Sequence, residues 1–251
     1  MSTGKKMPLT GSALKWIAIV TMFIDHIGAC LLEVFVMNAH GTSPLAGRLT
    51  GEQIMAWYDI DIYLRLIGRI AFPIFCFLLV EGAAHTRNMG KYLLRLSLFA
   101  LLAEVPFDLA FHNMPFFAGS QNVYLTLVLG LLAVWILKGW RQEIWRLPAG
   151  LLLPAFAAQL LQTDYGAVGV LVIALMYLLR ELPWLRAVVC VIVLVTFNSL
   201  EWPTAFSFLL IALYNGERGR QAKYFFYGFY PVHLVMLWAV GRFLLGNFVG
   251  V

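Results

Sequence analysis

The chain has 251 residues, of which 61% are hydrophobic and only 12% are charged, and its mean hydropathy is +0.81. Because a soluble domain carries about a quarter charged residues, this composition excludes an ordinary soluble domain and indicates a polytopic membrane protein. The formal net charge of +5 does not indicate nucleic-acid binding, since the lysines and arginines occur in short clusters between apolar runs.

Successive hydrophobic runs predict an all-α, polytopic integral membrane helical bundle of about nine transmembrane helices, formed by a single domain over residues 1–251. The runs lie at 14–37, 62–84, 92–111, 122–138, 147–162, 165–180, 186–199, 203–214 and 224–247. The fifth to eighth runs are shorter than the roughly 20 residues of a full span, so their boundaries are weak. Cys30, Cys76 and Cys190 lack metal-ligand spacing, and we expect no metal site.

Loop charge predicts the orientation of these spans, because lysine and arginine collect on the cytoplasmic side. Lys5 and Lys6 precede the first run, whereas the following loop is mainly acidic, with Glu52, Asp59 and Asp61 against one Arg48. The alternation continues to the last loop, which carries Arg218, Arg220 and Lys223. The N-terminus is therefore predicted to be cytoplasmic and the C-terminus external.

A lysine and a histidine, Lys15 and His26, share one stripe of the first run. Their spacing of eleven residues advances a helix by about 16 Å and returns it to nearly the same face. If Lys15 marks the cytoplasmic surface, His26 lies near the middle of a roughly 30 Å hydrocarbon core, where an imidazole is usually functional. Asp25 lies about 100° around the helix, so another span is expected to supply the partner of the imidazole.

Three charged residues around the start of the second run, Asp61, Arg65 and Arg69, recur every four residues on one helical face. An intrahelical ion-pair ladder at the outer interface explains Asp61 and Arg65 at least as well as a functional role. Arg69 lies deeper, and its permanent charge favours a cavity or a carboxylate partner over lipid.

Two further polar pairs follow at one-turn spacing, Glu81 with His85 and Glu104 with Asp108. The first pair lies near the cytoplasmic end, where snorkelling or capping is an equally good explanation. Glu104 lies one to two turns inside the outer end, and a surface role explains it less well.

The external span ends also carry polar groups, Asn122 and Asp164, which fit interhelical hydrogen bonding as well as acceptor binding. In the last span, Tyr224 and Tyr227 fit an interfacial aromatic belt. His233, about ten residues beyond Lys223, lies roughly 15 Å deep.

The loop YNGERG, residues 214–219, combines glycines, which permit close backbone approach, with Arg218, a phosphate-binding residue type. A positive-inside loop would look much the same.

Seven segments along the chain match a known family pattern: LKWIAIVTMFIDHIGA, GRIAFPIFCFLLVEGAAHT, LLAEVPFDLAF, QNVYLTLVLG, DYGAVGVL, YNGERG and KYFFYGFYPVHLVML. On these segments, nearly the whole chain resembles the TraX family. The family is known for the inner-membrane acetylase of conjugative F-type pilin, within a transmembrane acyltransferase superfamily whose first span carries a basic residue, ten positions and a histidine. Lys15 and His26 fill that pattern.

The resemblance implies a multi-pass protein of the bacterial cytoplasmic (inner) membrane that takes acetyl-CoA as acyl donor, with His26 catalytic and Lys15 on the acyl-CoA side. Other residues within family motifs are Arg69, Glu81, Asn122, Asp164, Asn215, Arg218 and His233. The acceptor is unknown and is expected to be a protein amine, a glycan or a small molecule.

The leading hypothesis is acetyl transfer with His26 as base or acyl relay. Arg69 or Asn122 would stabilise the oxyanion, and Glu81 or Glu104 would orient the imidazole. The donor would be held by Lys15, Asn215, Arg218, Arg220, Lys223 and Tyr230. The alternative is a proton-coupled transporter with a relay through His26, Glu81, Glu104, Asp164 and His233. A third possibility is a noncatalytic assembly factor.

Overall fold

The computed structural model describes residues 7–37, 49–220 and 222–245, apart from the side chains of residues 223, 224, 244 and 245. These residues form an all-helical fold, which confirms the all-α part of the predicted fold class. The helices are α1 (Gly11–His26), α2 (Gly51–Gly68), α3 (Ala71–His85), α4 (Met89–His112), α5 (Val123–Leu137), α6 (Arg146–Leu160), α7 (Gly166–Leu178), α8 (Pro183–Phe197), α9 (Thr204–Ala212) and α10 (Lys223–Ala239). α1 continues as a π-helical segment, Ile27–Val36, and α10 as another, Val240–Leu245.

Side-chain caps explain where several helices begin. Thr10 accepts a hydrogen bond from the amide of Ala13 at the start of α1, and Asn88 caps α4 in the same way. α2 begins with a reciprocal capping box between Thr50 and Gln53. These side chains satisfy amide groups that have no partner within the helix.

The second predicted run, 62–84, has the wrong boundaries. α2 already begins at Gly51, because the capping box starts a helix there, and it ends at Gly68 before a turn leads into α3. The acidic segment predicted as an external loop is therefore largely helical. Each of the other runs matches one helical segment to within three residues at either end, except that the end of the last run, at 247, lies outside the described residues.

Two continuous segments of the described chain, Gly11–Val36 and Gly51–His85, are long and apolar enough to cross a membrane. The helical segments 123–137, 166–178, 183–197 and 199–212 are apolar but shorter. The count of spans and their orientation stay predictions.

The core lies where α1, α3, α5 and α7 meet, with α10 packed against α4. Leu14, Ile74, Leu131 and Ile173 are fully buried there. The outer faces carry exposed apolar side chains, including Leu101, Leu153 and Trp184, at the positions that would meet lipid in a membrane protein.

Candidate active site: a buried histidine pair beside two cavities

Two buried histidines from opposite ends of the chain meet in the core. His26 ends α1, where the helix widens into the π-helical segment, and π-helical turns often occur at functional sites. Its Nδ1 atom lies 2.6 Å from Nε2 of His233 on α10, and the two rings are nearly parallel. This confirms that another helix supplies the partner of His26, but the partner is His233 and not Glu81 or Glu104.

Hydrogen bonds fix the tautomers of this pair. His233 Nδ1 lies 2.7 Å from the carbonyl oxygen of Phe229, which can only accept, so Nδ1 carries a proton. In the neutral rings that burial favours, His233 Nε2 is then an acceptor and His26 Nδ1 is the donor. The remaining nitrogen, His26 Nε2, is left with a lone pair, as a general base requires.

Aromatic rings enclose the pair. Tyr230 is 4% exposed, and its ring centroid lies 5.9 Å from that of His26 and 5.0 Å from that of Tyr124. Phe111 packs edge-on against His26 at 5.4 Å. Tyr230, predicted to bind the donor, thus lies beside the candidate base.

His26 also lines a cavity of about 290 Å³, which we call the histidine cavity. Ion pairs dominate its polar lining: Asp25 binds Arg65 at 2.6 Å, and Arg69 binds the almost fully buried Glu201 at 3.0 Å. The other lining residues are Met22, Gly68, Ala71, Phe72, Phe75, Phe111, Val123, Asp164, Tyr165, Phe197 and Asn198. The expectation that Arg69 faces a cavity and a carboxylate is confirmed.

The interpretation of Asp61 and Arg65 as a ladder along α2 is wrong. Arg65 binds Asp25 at 2.6 Å and Glu33 at 3.1 Å. Asp25 lies on α1, and Glu33 lies on the π-helical segment that continues it. Glycines allow this approach: a Cβ atom on Gly68 would overlap Asp25, and one on Gly28 would lie 2.6 Å from Asp61. Close contact between the helices therefore brings carboxylates of the first segment within reach of Arg65.

A second, larger cavity of about 610 Å³ carries cationic and aromatic groups, and we call it the basic cavity. Its cations are Lys15, Arg87, Arg95 and Arg218, and its aromatic rings are Phe75, Tyr92, Tyr124, Tyr214, Phe226 and Tyr227. Glu81 lies in the same lining, 3.9 Å from His85. Burial and the nearby Glu81 carboxylate raise the pKa of Tyr214, so its hydroxyl stays protonated at neutral pH.

The loop at 214–219 is fixed against the first turn of α1. The amides of Gly11 and Ser12 donate to the carbonyls of Glu217 and Arg218 at 2.8 and 2.9 Å, satisfying amides that the helix itself leaves free. Gly219 has a φ of 68°, and a Cβ atom there would lie 2.6 Å from the hydroxyl of Thr10. Of the two loop glycines, Gly219 makes the close backbone approach, whereas Gly216 has open space around its Cβ position. Arg218 lines the same cavity as Lys15.

Other predicted site residues lie outside both linings. Asn122 caps α5 through its side-chain oxygen, and its amide nitrogen donates to Glu104 and to the carbonyl of Ala100. Asn215 accepts from the amide of Glu217 and so shapes the loop. Arg220 is exposed, and the side chain of Lys223 lies outside the described residues.

Sequence reasoning missed several groups in the basic cavity. Loop charge explains Arg87 and Arg95 only as orientation signals, whereas in the structure both line the cavity with Lys15. Tyr227, predicted in an interfacial aromatic belt, instead accepts a hydrogen bond from Arg95 at 3.2 Å. The available signal was the recurrence of basic and aromatic residues at helix ends on one predicted side.

The fold and site define a helical protein in which α1 and α10 share a buried histidine pair, together with a basic cavity and an ion-pair-lined cavity. The family model for the TraX protein matches residues 10–241, and the chain belongs to the TraX family. It is similar to the probable fimbrial assembly protein FimC, serogroup H1, of Dichelobacter nodosus, with 32% identity over 208 residues that cover 72% of this chain and 84% of that protein. No solved structure gives a significant match.

Proposed function

We propose that this protein is a membrane-embedded acyltransferase that moves an acetyl group from cytoplasmic acetyl-CoA to an acceptor at or across the membrane. The observation that carries the proposal is the histidine pair, whose hydrogen bonds leave His26 Nε2 with a free lone pair beside a cavity. A buried neutral imidazole of this kind suits general base catalysis near neutral pH.

A multi-pass arrangement in the bacterial inner membrane is supported by the two long apolar segments and by the exposed apolar side chains on outer faces. In the orientation given by loop charge, the basic cavity faces the cytoplasm and the histidine cavity faces the opposite side. Donor and acceptor would then approach His26 from different sides of the bilayer.

The basic cavity suits a coenzyme that carries phosphates and an adenine ring. Arg218, Arg95 and Lys15 are cations that bind phosphate oxygens, and the surrounding tyrosines offer faces for a base to stack on. Its volume lies within the range of about 300–1,000 Å³ typical of small-molecule sites. The acyl end would enter the bundle beside Phe75, which lines both cavities, and Tyr124. The ring of Tyr124 contacts Tyr230, which in turn contacts His26.

In the proposed reaction, the acceptor's oxygen or nitrogen attacks the thioester carbonyl while His26 Nε2 takes its proton. Arg69 stabilises the developing oxyanion; its Nε atom has no hydrogen-bond partner within the described residues. When the tetrahedral intermediate collapses, the carbon–sulfur bond breaks and the imidazolium returns the proton to the departing thiolate. The products are the acetylated acceptor and CoA with a free thiol. Attack by His26 itself, followed by transfer to the acceptor, gives the same net reaction.

Thiol release from acetyl-CoA by the detergent-solubilised protein tests this proposal. We expect His26→Ala to abolish release, and His112→Ala, at a histidine that binds Ser120 and lines neither cavity, to retain it. Full activity of a normally folded His26→Ala variant would refute the assignment.

The relative from Dichelobacter nodosus carries the name of a probable fimbrial assembly protein, so we propose that subunits of surface filaments be tried first as acceptors. Substrate movement driven by a pH gradient, without any dependence on acyl-CoA, would instead support the transporter hypothesis. An assembly role that survives truncation of His26 would support a noncatalytic factor.

A further inference from the structure

We propose that Phe75 is the partition between the basic cavity and the histidine cavity and that its ring restricts the transferred acyl group to acetyl. The inference rests on the proposed acyl transfer and adds the residue that sets its specificity for the donor.

The position of Phe75 on α3 supports this role. Its half-buried side chain lies in the lining of both cavities. One turn before it, Ala71 and Phe72 line the histidine cavity; one turn after it, Leu78 and Leu79 line the basic cavity. Because residues three and four apart share a helix face, a single stripe of α3 runs from one cavity into the other, and Phe75 occupies the crossing.

The other two helices at this crossing show the same change of lining. On α1, Lys15 lies in the basic cavity, whereas Met22 and His26, two to three turns further on, lie in the histidine cavity. On α5, Val123 lines the histidine cavity and the adjacent Tyr124 lines the basic cavity. α1, α3 and α5 thus surround the level of Phe75, at which the lining changes from one cavity to the other.

This geometry limits the length of the acyl chain. A thioester that arrives from the basic cavity must bring its carbonyl carbon past Phe75 to reach the side of His26. Carbons beyond the acetyl methyl then compete with the Phe75 ring, or with the acceptor, for space in a cavity of about 290 Å³. Removing the ring should therefore admit longer acyl groups, and each newly buried methylene corresponds to about a four-fold gain in relative kcat/KM.

The test compares thiol release from acetyl-, propanoyl- and butanoyl-CoA by the solubilised full chain, with water as acyl acceptor. We expect Phe75→Ala to raise kcat/KM for butanoyl-CoA relative to acetyl-CoA by about fifteen-fold, from two methylenes at four-fold each. Phe208→Ala is the matched control, because Phe208 is a buried phenylalanine that lines neither cavity, and it should leave the ratio unchanged.

Two further variants, one with a smaller and one with a larger side chain, keep the proposal testable if the alanine variant folds poorly. Phe75→Leu should raise kcat/KM for propanoyl-CoA more than for butanoyl-CoA. Phe75→Trp should reduce acetyl transfer at least ten-fold, while the dissociation constant for CoA, measured by titration calorimetry, stays the same. An unchanged acyl preference in a Phe75→Ala or Phe75→Leu variant that still releases CoA from acetyl-CoA would overturn the proposal. Absence of release from every donor by the wild-type protein would instead refute the proposed function.

Discussion

Replacing His233 separates two properties of its side chain, the hydrogen bond to the Phe229 carbonyl and the hydrogen bond from His26. In His233→Asn the side chain is too short to reach His26, whose Nδ1–H donor loses its 2.6 Å partner. In His233→Gln the amide oxygen falls near the former Nε2 position and can still accept from His26. The pair of variants therefore tests the orientation of His26 and not merely the presence of a ring.

The expected magnitude follows from the buried contact. Leaving a buried donor without a partner costs about 1–3 kcal/mol, and at about 1.36 kcal/mol per tenfold this equals a loss in rate of roughly 5- to 150-fold. In metal sites, removing the group that orients a ligating histidine lowers metal affinity or activity by about 10- to 100-fold, which overlaps this range. We expect kcat for thiol release from acetyl-CoA to fall about 100-fold in His233→Asn and less than about five-fold in His233→Gln.

The assay is steady-state thiol release in detergent, with unfolding temperature as the control for folding. KM for acetyl-CoA should change little in either variant, because His233 lines neither cavity and the donor cations lie on other elements. Equal losses of kcat in the asparagine and glutamine variants, with both folded, would refute the orienting role.

Three further predictions concern donor binding and packing. Arg218→Ala should raise KM for acetyl-CoA about tenfold or more while kcat changes less, because a charged phosphate contact is lost. The control Arg141→Ala, in an exposed loop, should leave KM unchanged. An unaltered KM in Arg218→Ala would show that Arg218 does not bind the donor phosphates. Gly68→Ala should lower the free energy of unfolding, measured by denaturant titration, by about 1–3 kcal/mol, because the new methyl group overlaps the first helix. Gly51→Ala, with open space around its Cβ position, should not lower it. Equal effects of the two substitutions would contradict the close packing at Gly68. Glu201→Gln should lower the unfolding temperature because it removes the buried carboxylate that pairs with the largely buried guanidinium of Arg69, at a cost of about 3–5 kcal/mol. An unchanged unfolding temperature would argue against the ion pair.

The first helix was the most predictable part of the molecule. Helix periodicity and the depth of His26 in the membrane predict three of its features: the apolar run, the shared stripe of Lys15 and His26, and the need for a partner from another helix. They do not predict which residue that partner is. His233 was recognised as deep in the last span, but the pairing of α1 with α10 is a tertiary contact over 207 residues, and local periodicity carries no information on it.

The charged residues of α2 show a different limit. Spacing at four residues suggested pairing along the helix, yet Arg65 binds Asp25 and Glu33 across a helix contact that glycines make close. The sequence shows the glycines but not which surface will lie against them. The start of α2 was also missed, because hydropathy does not register the polar residues that a capping box brings into a helix.

The histidine pair has a consequence for synthesis of the chain. Among the described helices, His26 belongs to α1 and His233 to α10, so α1 is synthesised well before its partner. Arg218 joins the start of α1 only when the loop after α9 has emerged. A ribosome-bound chain that stops before α10 contains His26 but lacks the nitrogen that holds its tautomer. Under the proposed chemistry, a partly inserted chain would release CoA from acetyl-CoA only slowly until α10 has been delivered to the membrane.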